Sequence, residues 1–131
     1  MKLFLIMLMG LTMFACAPAY AQSNDKVQSM PILSAATSTG AASSVIPWKA
    51  NRTFQGSGTT SSGAGAASIL IQVSNDNSNW DLLGTITLTL GTASTSDSFT
   101  SISPYRYVRA NVDSISGTGA SVDVYMGTGG N

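Results

Sequence analysis

PYRYVRANVDSISGTGASVDVYMG, residues 104–127, is the stretch on which the fold of this chain turns. Val108, Ala110 and Val112 alternate with Tyr107, Arg109, Asn111 and Asp113. After a Gly-rich turn, Val122, Val124 and Met126 alternate with Ser121, Asp123 and Tyr125. A period of two places successive side chains on opposite faces, so each run is a strand with one buried face. Two such runs around G-T-G-A predict a closing hairpin.

The same signal recurs upstream. Ala67, Ile69, Ile71 and Val73 alternate with polar residues and Leu70. The SNDNSN segment then breaks the pattern with turn-forming Asx side chains. Beyond it, Trp80, Leu82, Gly84, Ile86, Leu88 and Leu90 fall on one face, and Asp81, Leu83, Thr85, Thr87 and Thr89 on the other. Gly84 interrupts that face and predicts a bend or bulge. Shorter candidates lie at 45–48, 52–55 and around Phe99, separated by a loop over the GSGTTSSGAGA run. No segment carries a sustained 3.6-residue apolar period. The expected fold is therefore all-β, an antiparallel β-sandwich of seven to nine short strands. Its expected core is Val45, Phe54, Ile69, Ile71, Val73, Trp80, Leu82, Ile86, Leu88, Phe99, Val108, Ala110, Val112, Val122, Val124 and Met126.

The ends read differently. Lys2, the apolar run Leu3 to Phe14 and Ala19-Tyr20-Ala21 form a secretory signal peptide over 1–21. The apolar run is shorter than the roughly 20 residues a spanning helix needs. No membrane span is expected in the mature chain, which is exported to the periplasm or medium. Cys16 is the only cysteine, and lipidation there is the alternative processing; cleavage after Ala21 leaves a chain with no disulfide. Residues 22–44, rich in small side chains without periodicity, read as a flexible arm. The sandwich is expected over 45–127 and a polar tail over 128–131.

The chemistry is sparse. Among 131 residues there are six Lys and Arg, six Asp and Glu, and no His, for a formal net charge of +0. The acidic residues are all Asp. Without His, Glu or a retained Cys, the usual general bases, thiol nucleophile and transition-metal ligands are missing. No catalytic residue, cofactor or metal is expected, and the protein reads as a non-enzyme. No basic run occurs, and no nucleic-acid partner is expected. Asn75, Asn77, Asn79 and Asp81 offer oxygens to a hard cation, but their spacing suits Asx caps in a turn better than a calcium loop. Trp48, Tyr105, Tyr107, Arg109 and Tyr125 are the candidate binding residues, since aromatic and Arg side chains anchor interfaces. The plainer reading pairs Tyr107 with Tyr125 as cross-strand neighbours.

The segments Ser74 to Trp80, Ile86 to Thr89, Tyr105 to Val112 and Gly117 to Met126 resemble small β-sandwich proteins of tailed bacteriophages. In those, the turn before the long strand has the form S-x-D-G-x-x-W; here Asn77 stands at the Gly position. The resemblance, covering about Arg52 to Gly127, implies a jelly-roll-like fold with no catalytic residues. It implies a structural or adhesion role in a virion head, neck or tail, or in the envelope of the infected cell, among other protein subunits and in multiple copies. The alternative is a secreted or periplasmic carbohydrate-binding module with a glycan as ligand.

Overall fold

A computed structural model describes residues 28–45, 51–102 and 104–129, with the backbone alone at 28 and 41–45. Eight strands occur among these residues: β1 (Gln28–Ala36), β2 (Gly40–Val45), β3 (Asn51–Thr59), β4 (Ser62–Ser74), β5 (Asp81–Leu90), β6 (Thr95–Ile102), β7 (Tyr107–Thr118) and β8 (Ser121–Thr128). They form two four-stranded sheets, β1-β8-β3-β6 and β2-β7-β4-β5, with every pairing antiparallel. Strand 1 pairs with 8, 2 with 7, 3 with 6 and 4 with 5. That nested pairing is a long antiparallel ribbon wrapped into a sandwich, the jelly-roll arrangement. No helix among the described residues is long and apolar enough to cross a membrane.

The core is built as the alternation requires. Phe54, Ile69, Ile71, Ile86, Val108, Ala110, Val122, Val124 and Met126 are fully enclosed between the sheets. Phe99, half-buried, packs on them, its ring centroid 5.2 Å from that of Phe54. At about 1.5–3 kcal/mol for each large side chain, this burial is the main favourable contribution to folding.

Four expectations are corrected. The first concerns the closing hairpin. β7 and β8 do not pair; β7 lies in one sheet and β8 in the other, and residues 119–120 carry the chain across. Tyr107 and Tyr125 are therefore not cross-strand neighbours. The hairpin between β4 and β5 is the one place among the described residues where consecutive strands pair.

The second concerns the arm. From residue 28 the expected flexible segment supplies β1, paired with β8, and β2, paired with β7. Ile32 and Leu33 are buried, and two register shifts adapt β1 to its neighbour. Ala35 takes a φ of 48°, and its N–H donates to Asp123 Oδ1 at 2.8 Å. Small side chains carry no alternation, so the pairing here comes from partner strands distant in sequence.

Third, the expected Gly/Ser loop is mostly strand. Gly56 and Gly58 face inward on β3, where large side chains of the facing sheet need the room. A Cβ on Gly56 would lie 2.6 Å from Ile86 Cγ2, and one on Gly58 2.8 Å from Leu90 Cδ2.

Fourth, the apolar face of β5 changes sides. Ile71 pairs with Gly84 but Gln72 pairs with Leu82, so Leu83 is the extra residue of a bulge. Ile86, Leu88 and Leu90 stay inside, whereas Leu82 is 60% exposed. Trp80 leaves the core as well and lies on the outer face, although it remains more than half buried. Gly84 sits where the bend was expected, and Phe99 covers it: a Cβ there would lie 2.6 Å from the Phe99 Cζ.

The signal peptide over 1–21, Cys16, Trp48 and the last two residues lie outside the described residues, as does the side chain of Val45.

Candidate functional site

The turn between β4 and β5 is built by its own side chains. The Asp76 carboxylate accepts the N–H groups of Ser78 and Asn79, the Asn79 amide and the Ser74 hydroxyl, at 2.7–2.9 Å. The Asn79 N–H is the largest influence, and together these donors hold Asp76 well below the usual carboxylate range. Asn77 has a φ of 61°. Gly or Asn suits that left-handed position, which explains the Asn there. With its oxygens committed to donors, Asp76 belongs to the turn. No group of three or more His, Cys, Asp or Glu gathers among the described residues.

The candidate binding residues divide between two opposed faces. Tyr107 and Arg109 lie on the outer face of β2-β7-β4-β5, and Tyr125 on the outer face of β1-β8-β3-β6. Tyr105 joins neither, because its ring packs against the core edge. Its carbonyl accepts Arg52 Nη2 at 2.7 Å. Arg52 itself is 1% exposed, and burial pulls its pKa below the ordinary guanidinium value. Asn75, Pro104 and Tyr105 line a shallow recess of about 290 Å³.

On the Tyr125 face the register lines up residues across the whole sheet. Ser29 lies opposite Gly127, Gly127 opposite Thr53, and Thr53 opposite Thr100. These four small residues make the floor of a trough running across β1, β8, β3 and β6. The hydroxyls of Thr53 and Thr100 are 3.3 Å apart. Gly127 is decisive: a Cβ there would touch nothing closer than 3.9 Å, so the space above it is open. Tyr125, 43% exposed, and Gln55 form one wall, and Asn51 and Gly129 border the other side. The depression measures about 420 Å³. At 4.7–4.9 Å between strands, four strands give it a length of about 15 Å.

On the opposite face, the Arg109 guanidinium stacks on the Trp80 ring at 4.3 Å, and its Nε donates to Gln72 Oε1 at 2.8 Å. Arg106 lies over the Tyr107 ring at 5.4 Å. Gln55, Gly127, Trp80 and Gln72 were not among the sequence candidates. The Tyr125-x-Gly127 spacing puts a ring beside a gap on one strand face, a signal readable in advance. Trp80 was masked by its apparent place in the apolar stripe, which the Leu83 bulge breaks.

Searches with the sequence match no family model and no curated protein. Among solved structures, the chain is similar to the crystal structure of PBSX exported protein XepA, with 14% identity over 79% of this chain and a TM-score of 0.48. The chain spans 37% of that protein's length. It is also similar to a structure described as "CBM4 structure and function", with 12% identity over 78% of this chain and 70% of the other, and a TM-score of 0.44.

Proposed function

We propose that this protein is an exported, non-catalytic recognition module that binds a neutral polysaccharide in the Tyr125 trough. One observation carries the reading: an exposed aromatic ring stands beside a side-chain-free position on a floor of hydroxyls. Sugars offer an apolar ring face for stacking and hydroxyls that both donate and accept. Tyr125 suits the first, and Thr53, Thr100, Gln55 and Asn51 suit the second. About 420 Å³ falls within the range of small-ligand sites. A trough of about 15 Å across four strands suits a run of sugars within a chain.

The test uses Gly127→Leu and Tyr125→Ala in affinity electrophoresis through neutral polysaccharides and on a glycan array. Gly127→Leu fills the trough from a position with open space, so folding should survive while binding is lost. Retention of full binding by a folded Gly127→Leu protein refutes the trough.

A second reading, a multi-copy structural part as in the phage resemblance, is favoured by Leu82 and Ile102. These are 60% and 78% exposed, one on each sheet. Coverage by neighbouring copies would remove both from water. Mass in solution separates the readings: an oligomer with no sugar ligand supports the structural role, and a monomer with a sugar ligand supports the trough.

A further inference from the structure

We infer that the outer face of β2-β7-β4-β5 carries a second, independent site, where Arg109 receives the carboxylate of an acidic polysaccharide. Arg109 is held on two sides. Its flat face rests on Trp80 at 4.3 Å, and its Nε–H is given to Gln72 at 2.8 Å. Among the described residues, no carboxylate pairs with it and neither terminal nitrogen has a hydrogen-bond partner. The fork of N–H donors is thus oriented before any ligand arrives, which reduces the ordering cost of binding. A planar carboxylate matches that fork through two parallel hydrogen bonds.

The surroundings select a sugar acid. Leu82 lies beside Gln72 in register and is 60% exposed, and Tyr107 is next along the same face of β7. Both offer apolar contact to a ring adjoining the carboxylate. Arg106 and Arg109 are the cations of β7 and the segment just before it, Arg52 is buried against the Tyr105 carbonyl, and Asp81 is close in sequence to the stacked Trp80. Anionic bilayers are recognised by clusters of about four to eight Lys or Arg, which this face lacks. A single oriented fork with apolar neighbours suits one carboxylate at a time, as one residue of an acidic chain presents it.

The experiment titrates the purified protein with oligogalacturonate. Controls are the carboxyl-reduced neutral oligomer, inorganic phosphate and phosphatidylglycerol vesicles. Binding is read by calorimetry and by Trp80 fluorescence in a Trp48→Phe background. Oligogalacturonate should bind and its neutral counterpart should bind at least tenfold more weakly on this face. Arg109→Gln should lose tenfold or more, and Arg109→Lys, which keeps the charge without the fork, should lose most of that affinity. Gly127→Leu should leave this binding and the Trp80 response unchanged, which separates the site from the trough. Melting curves confirm that the Arg109 variants are folded; if Arg109→Gln is not, Arg109→Lys and Gln72→Ala carry the comparison. Equal Trp80 responses to the acidic and neutral oligomers in the Gly127→Leu protein overturn the proposal. So does unchanged affinity in folded Arg109 variants, or binding to vesicles or phosphate without binding to oligogalacturonate.

Discussion

Gly84→Ala tests the packing that joins the two sheets at their open side. Gly84 lies on β5 next to the bulge, and Phe99 reaches over it from β6 of the other sheet. An added Cβ would lie 2.6 Å from Phe99 Cζ, 2.8 Å from Cε2 and 3.0 Å from Cε1. Carbon atoms pack best at about 3.5–4.0 Å, so the ring must retreat by about 1 Å. Phe54 sits behind it at 5.2 Å between centroids, so the retreat disturbs the core. Overpacking of this kind costs about 1–3 kcal/mol. The lower chain entropy of Ala gives back about 0.4–1 kcal/mol. The net expectation is a loss of about 1–2 kcal/mol, measured by urea unfolding with an unchanged m-value. Phe99→Leu, which shortens the side chain, should absorb the new methyl, so that the double variant is more stable than the sum of the single effects predicts. A Gly84→Ala protein as stable as the parent, or strict additivity with Phe99→Leu, would refute the close packing of ring on glycine.

Three further outcomes follow from the structure. Asp76 binds its proton more weakly in the folded chain than in the unfolded one, so its stabilisation is present above the ordinary carboxylate range. It is lost as the pH falls below about 4. Melting temperature against pH should therefore drop in that window, and Asp76→Asn should be less stable at neutral pH while showing a shallower acid decline. Leu82→Ser should change stability by no more than about 0.5 kcal/mol, since Leu82 faces water. Leu88→Ala on the same strand should cost about 2–5 kcal/mol in the same denaturation assay. Asp97 on β6 accepts the Thr87 N–H of edge strand β5 at 3.1 Å. Asp97→Ala should lose about 1 kcal/mol and raise self-association seen by light scattering, because it uncovers strand edge.

The sequence by itself determined which side of most strands faces inward. The period of two at 67–73, 86–90, 108–112 and 122–126 corresponds residue for residue to the buried positions. It also marked the Asx turn at 74–79, because Asp76 and Asn77 act on backbone within a few residues of themselves. Of the candidate binding residues, it singled out Tyr125, Tyr107 and Arg109, but as one surface. Only the tertiary structure decided which strands are neighbours. Alternation says that Val108 and Val122 point inward; it does not say from which sheet, and G-T-G-A serves an arch between sheets as well as a hairpin. That assignment separated Tyr125 from Arg109 by the thickness of the sandwich. Tertiary packing also made β1 and β2 out of residues with little pattern, and it set the bulge at Leu83 that turns Trp80 and Leu82 outward. The reason is physical. Face is fixed by each residue's own preference for water or core, whereas pairing, register and bulges are settled by hydrogen bonds and side-chain volumes contributed by segments far away in the chain.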